Sequence, residues 1–86
     1  MLRRTARLGE LMGLFRFDLI DHAGKADRIA SEQMERSRLR QRAREMARSI
    51  KERQAGAGEI HLSWEVVVFD SANSEVERVP FWLATS

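Results

Sequence analysis

Apolar residues alternate with charged ones over residues 14–20, near the start of the sequence. The apolar side of this segment consists of Phe15, Phe17 and Leu19. Since successive side chains of a strand point to opposite faces, this period of two predicts a strand with one buried face. The turn residues Asp21 and Gly24 follow, and the short run 26–30 is predicted to return as a second strand. The first part of the chain is therefore predicted to be a β-hairpin.

The spacing of apolar residues changes to three and four in the middle of the chain, which is the spacing of an amphipathic helix. The apolar stripe consists of Leu39, Ala43, Met46 and Ile50. Ser31 is predicted to cap the N-terminus of this helix, which is predicted to run to about Gln54. Gly56 and Gly58 lie where it ends, since glycine accepts the left-handed conformation beyond a helix C-terminus. One long helix is therefore predicted to follow the hairpin.

Two further strands are predicted after the helix. The first covers residues 59–70, and its apolar face consists of Ile60, Leu62, Trp64, Val66 and Val68. The second covers residues 76–83 and contains Pro80, which cannot donate a ladder hydrogen bond. This predicts either an edge position for the strand or a Pro80 whose missing N–H would point outward. The order β-β-α-β-β predicts an α+β fold, a four-stranded antiparallel sheet with one long helix on one face. The other face of that sheet is expected to be partly uncovered.

The composition is that of one folded domain. The sequence has 86 residues, of which 43% are hydrophobic and 33% are charged. It contains no cysteine, which excludes disulfides, thiolate zinc sites and cysteine nucleophiles. A secreted domain of this size usually needs disulfides, and the basic start lacks the apolar run of a signal peptide, so a cytoplasmic location is predicted. No apolar stretch is long enough for a membrane span, so no membrane partner is expected.

The positive charge is concentrated in one stretch. Residues 36–53 contain eight basic and two acidic residues, a net charge of +6, whereas the whole chain carries +2. One flank of the predicted helix forms a basic ridge that consists of Arg40, Arg44, Arg48 and Lys51. A row of guanidinium groups can follow nucleic-acid phosphates, so the basic ridge is a candidate nucleic-acid-binding surface. The alternatives are a solvated helix face and a charge balance against an acidic sheet within the chain.

The uncovered sheet face provides a second candidate, a protein interface formed by an exposed apolar patch. Its predicted members are Val67, Phe69 and Trp82. Trp82 is out of phase with its two neighbours, so it is predicted to point away from the helix-covered face, where a tryptophan can anchor a partner or stack on a base. The leading functional hypothesis is a small protein-interaction module that forms a homodimer. The alternative hypothesis is a weak, sequence-independent nucleic-acid binder or regulator that uses the basic ridge.

The sequence shows no constellation that indicates catalysis. Its two histidines, His22 and His61, fall in a turn and on a strand without cysteine nearby, which is a poor pattern for a metal site. The glycines that follow the helix do not form a phosphate-binding loop, because such a loop lies between a strand and a helix. The protein is therefore predicted not to be an enzyme, and no cofactor or metal site is expected.

Residues at both ends of the predicted domain resemble a family of short bacterial proteins that is known as a domain of unknown function. The matching residues are Phe15, Phe17, Asp18, Leu19, Asp21, Gly24, Val66, Val68, Asp70, Val76, Val79, Pro80 and Phe81. The resemblance covers about residues 12–83 and implies the same fold, without an activity or functional residues to transfer. The last turn of the family usually has glycine where Asn73 stands, and asparagine is the next most tolerant residue at positive φ.

The same resemblance bears on the domain limits. Family members begin at a position that corresponds to Met12, so residues 1–11 are predicted to be an N-terminal extension of a single ββαββ domain over residues 12–86. The alternative is a short helix from Leu2 to Leu14 that docks on the domain.

Overall fold

A computed structural model describes residues 12–59 and 61–84 of the chain. These residues form the strands β1 (Met12–Ile20) and β2 (Ala26–Glu35), the helix α1 (Leu39–Gly56), and the strands β3 (Glu65–Phe69) and β4 (Glu75–Pro80). Two 3₁₀ helices, Arg36–Arg38 and Phe81–Leu83, precede α1 and follow β4. The predicted α+β fold with a four-stranded antiparallel sheet and one helix is confirmed. The predictions for residues 1–11 and for Ile60 lie outside the described residues.

The strands lie in the order β2-β1-β3-β4, and all neighbouring pairs are antiparallel. β1 and β3 are therefore central, while β2 and β4 are the edges of the described sheet. The edge position that Pro80 favours is confirmed, since Pro80 ends β4. The helix α1 packs against β3 and β4, which places its outer flank beside the β4 edge.

The helix begins later than predicted. β2 continues through Ser31 to Glu35, and α1 starts at Leu39, so the prediction that Ser31 caps the helix is wrong. The reason is the length of β1, which extends back to Met12 and pairs it with Glu35. Ladder hydrogen bonds to β1 therefore hold residues 31–35 in an extended conformation, and the sequence pattern of β2 alone does not show that this partner exists.

The strand after the helix is shorter than predicted. β3 occupies Glu65–Phe69, and the residues just before it form a turn in which the Trp64 N–H donates to the His61 carbonyl over 3.2 Å. Leu62, predicted on the apolar strand face, is 49% exposed in this turn. Trp64 remains partly buried and packs against the core, as its place in the pattern indicates.

The core lies between α1 and one face of the sheet. The helix contributes the predicted apolar stripe and Ala47, which the same spacing places beside it, so its buried residues are Leu39, Ala43, Met46, Ala47 and Ile50. The sheet and the 3₁₀ helix after β4 contribute Phe15, Phe17, Val66, Val68, Val79 and Phe81. The buried face of the helix and the buried face of the sheet could both be predicted from residue spacing, because a period of 3.6 in a helix and a period of 2 in a strand each place apolar residues on one face.

Asp21 and Asp70 organise the two hairpin turns in the same way. Each carboxylate oxygen Oδ1 accepts two backbone N–H groups from the turn, at 2.9 to 3.0 Å. These bonds hold the pKa of Asp21 below its usual range, chiefly through the N–H of Lys25. Gly24 and Asn73 take the positive φ angles that the turns require, 84° and 64°, as predicted.

Candidate functional site

The basic ridge lies on the flank of α1 that faces β4. Its members follow one another at spacings of four, four and three residues, which keeps them on one side of a helix. Arg40 Nη1 donates to Glu77 Oε1 on β4 at 3.0 Å. Lys51 Nζ lies 3.5 Å from the carbonyl oxygen of Phe81, in the 3₁₀ helix that follows β4. The two ends of the ridge thus rest on the edge strand and on the segment after it.

A groove of about 570 Å³ runs along the ridge, and we name it the ridge groove. Its lining consists of Ser37, Arg40, Gln41, Arg44, Glu45, Arg48 and Ala84. Ala84 comes from the chain just after the second 3₁₀ helix, so the groove is closed on one side by a segment remote from α1 in sequence. The three arginines were predicted from helical spacing. Ala84 was not, because its approach to the ridge depends on the tertiary fold, and Ser37, directly before α1, carries no charge that would have drawn attention to it.

Two arginines of the ridge groove carry uncompensated charge. Arg44 and Arg48 are exposed, and neither forms an ion pair with any residue that the structure describes. Glu45 also lines the groove, but its carboxylate lies 3.4 Å from Arg42 Nη1 on the other flank. The groove therefore presents exposed guanidinium groups to solvent, an arrangement that attracts anions.

On the opposite flank of α1, Arg42 is paired with the sheet. Arg42 donates from Nε and Nη2 to the two carboxylate oxygens of Glu32 on β2, at 2.8 Å each. This pair of parallel hydrogen bonds holds the pKa of the Glu32 carboxyl below its usual range. Arg42 therefore joins the helix to the β2 side of the sheet, whereas Arg44 and Arg48 have no such role among the described residues.

Trp82 is exposed, as predicted, although it lies in a 3₁₀ helix and not on a strand. Its exposed fraction is 58%, while its neighbours Phe81 and Ala84 are buried. Phe81 contacts Lys51 through its carbonyl oxygen, and Ala84 lines the ridge groove. The indole of Trp82 thus belongs to a turn whose other residues touch the basic ridge at two points.

The sheet face opposite α1 differs from the prediction. Val67 has no exposed surface, so the prediction that it contributes to an exposed apolar patch is wrong. Its partners across the sheet are Asp18 on β1 and Arg78 on β4. The Arg78 guanidinium binds Glu65 and Glu75, and the aliphatic parts of such long side chains cover apolar surface beneath them.

Phe69 lies on the same face and is half-buried. The guanidinium carbon Cζ of Arg16 lies 4.5 Å above the centre of the Phe69 ring, a cation–π contact. Arg16 Nε also donates to both carboxylate oxygens of Asp18 at 3.2 Å. The face that the sequence predicts to be open is therefore covered near Phe69 by a charged side chain of its own sheet.

The part of the chain that the structure describes contains neither a cluster of metal-binding side chains nor a helix that could span a membrane. Residues 12–59 and 61–84 contain no group of three histidine, aspartate or glutamate side chains placed to hold a metal ion. The described helix α1 is neither apolar enough nor uncharged enough to cross a bilayer.

Comparisons with known proteins leave the function to be inferred from geometry. No protein-family model matches the chain, and neither the curated proteins nor the solved structures include one with significant similarity to it. The resemblance to a bacterial family therefore stays a prediction.

Proposed function

We propose that the protein binds nucleic acid through the basic ridge, by contacts to the phosphate backbone that do not depend on base sequence. The observation that carries this proposal is the pair Arg44 and Arg48, which are exposed in the ridge groove without an ion-pair partner among the described residues. An arginine presents its N–H groups as a planar fork that matches two oxygens of a phosphate. Two such forks side by side favour a polymer of phosphates over a single anion.

The spacing of the ridge also fits a chain of phosphates. Arg40, Arg44 and Arg48 are four residues apart, which places successive members about 6 Å apart along the helix axis. This is close to the separation of successive phosphates on an extended nucleic-acid strand. A strand that follows the ridge can therefore place one phosphate near each arginine.

The contact between Arg40 and Glu77 does not prevent this use of the ridge. The side chain of Arg40 is 56% exposed, so water screens its ion pair with Glu77. Exposed ion pairs of this kind contribute only about 0.2 to 1 kcal/mol. A phosphate can replace the Glu77 carboxylate at small cost, and Arg40 then joins Arg44 and Arg48 in the contact.

The test compares two variants that lose the same charge at different places. The ridge variant is Arg44→Gln with Arg48→Gln, and the control variant is Arg28→Gln with Arg53→Gln. All four arginines are exposed, and those of the control lie outside the ridge groove. Because each phosphate contact releases about one counterion, the ridge variant should bind a labelled oligonucleotide roughly 10- to 100-fold more weakly at about 50 mM salt.

Fluorescence anisotropy measures both affinities, and circular dichroism checks that both variants are folded. We expect the control variant to lose only a few-fold in affinity, through the lower net charge. Equal losses in the two variants would show that net charge and not the ridge attracts the ligand. An unchanged affinity in the ridge variant would reject the ridge as the binding surface.

Self-association is a second candidate function, favoured by two exposed apolar side chains. Leu14 and Met12, 58% and 40% exposed, lie on the helix-free face of β1, where that strand extends beyond its pairing with β3. Leu14 also shares a groove with Asp70, the residue after Phe69. Two copies that meet at this face would bury both side chains, so light scattering should give a dimer mass for the protein and a monomer mass for Leu14→Gln. A monomer at every concentration of the unchanged protein would reject this candidate.

A further inference from the structure

We infer that the nucleic acid bound by the basic ridge is single-stranded, an inference that rests on the proposed function. The reason is that Trp82, in the turn that contacts the ridge, offers a surface on which an unpaired base can stack. The ridge supplies charge for the phosphates, and Trp82 supplies an aromatic face. Proteins that bind single strands without sequence preference combine these two elements.

The backbone around Trp82 is fixed on both sides. The Phe81 N–H donates to the carbonyl oxygen of Trp64 at 2.8 Å, and the Ala84 N–H donates to the carbonyl oxygen of Phe81 at 3.0 Å. Phe81 is also fully buried in the core. These bonds hold the turn that carries Trp82, and Lys51 Nζ, 3.5 Å from the Phe81 carbonyl oxygen, joins the same turn to α1. Little backbone freedom is therefore lost when a base stacks on Trp82.

Trp64, the other tryptophan, packs against the core and differs from Trp82 in its burial. Trp64 stacks on the His61 ring, with ring centres 4.5 Å apart and planes 9° apart. Its ring centre lies 6.2 Å from that of Phe81. Trp82 has more than half of its surface in water. An exposed indole forgoes most of the free energy that burial would provide, so packing does not account for tryptophan at this position.

Stacking of a base on Trp82 would make the protein prefer single strands to duplexes. In a duplex the bases are already stacked on one another and only the phosphates are free, so Trp82 gains nothing there. In a single strand a base can leave its neighbours and lie on the indole. One stacked base should raise the affinity roughly 5- to 150-fold.

The experiment measures the affinity of the unchanged protein and of Trp82→Ala for oligothymidine, oligouridine and a duplex of equal length at one salt concentration. Leu62→Ala is the control, because Leu62 is also an exposed apolar residue but has no aromatic ring on which a base can stack. We expect Trp82→Ala to lose roughly 5- to 150-fold in affinity for the single strands and to keep its affinity for the duplex. Leu62→Ala should keep both affinities.

Tryptophan fluorescence provides a second readout. Stacking should quench the emission of the unchanged protein when a single strand is added, and Trp82→Phe, which retains Trp64, should show little quenching. If Trp82→Ala binds single strands as tightly as the unchanged protein, or weakens both ligands equally, the inference is overturned while binding through the ridge stands. If the unchanged protein binds neither ligand, the proposed function itself fails, and the ridge variants report that failure independently of Trp82.

Discussion

Replacing Phe17 by alanine is expected to lower the free energy of unfolding by about 3 to 5 kcal/mol, as is usual when a buried phenylalanine is truncated. Phe17 lies on the central strand β1, between Ala30 on β2 and Val68 on β3, and has no exposed surface. Its ring faces α1, so truncation leaves a cavity that a rigid sheet cannot close. A domain of this size has a total stability of roughly 5 to 15 kcal/mol, so the variant should be close to unfolding at room temperature.

Urea denaturation followed by circular dichroism measures this loss. Leu14→Ala is the matched control, since Leu14 lies on the same strand with 58% of its surface exposed. Its loss should be about 0.5 kcal/mol, the usual size for a surface substitution. Similar losses in the two variants would contradict the placement of Phe17 in the core.

Replacing Arg16 by methionine should destabilise the domain by about 2 kcal/mol, more than exposed ion pairs usually contribute. Arg16 is the ion-pair partner of Asp18, which is 7% exposed on the helix-free face. Methionine keeps apolar contact with Phe69 but leaves the carboxylate buried and unpaired. Removing both charges, with Arg16→Met and Asp18→Val together, should cost less than Arg16→Met alone, because no buried charge is then left without a partner.

A double-mutant cycle in urea isolates this coupling. Asp18→Val alone should have a smaller effect than Arg16→Met alone, since the side chain of Arg16 is 31% exposed and can still stack on Phe69 in contact with water. If the loss in the double variant equals the sum of the two single losses, the pair does not stabilise this face.

Local patterns predicted the elements well where tertiary pairing did not override them. The stripe from Leu39 to Ile50 and the alternation from Phe15 to Leu19 each identified the buried side of an element. The prediction for Ser31 was wrong because β1 reaches back to Met12 and pairs with residues 31–35, which the local cap signal at Ser31 does not show. Pairing between distant segments decides where a strand ends and a helix begins, and a short stretch of sequence carries no information about that pairing.

The candidate site could be predicted only in part, because local spacing shows where its residues lie but not which distant residues they contact. Helical spacing alone placed Arg40, Arg44 and Arg48 on one flank of α1. Which of these arginines retains free charge depends on partners such as Glu77, 37 residues away from Arg40. The burial of Val67 was not predicted, because the sequence does not show that Arg78 lies beside it on β4. The aliphatic part of an arginine can cover a neighbouring apolar side chain.

The most direct test of the claim that the basic ridge binds phosphates is the salt dependence of affinity for a single-stranded oligonucleotide. If all four ridge cations contact phosphates, the logarithm of the association constant should fall with the logarithm of salt with a slope of about −3. The affinity should then drop roughly 50-fold between about 50 and 200 mM salt, and the variant without Arg44 and Arg48 should show about half that slope. An affinity that does not change with salt, or no binding at the lower salt concentration, would contradict the account.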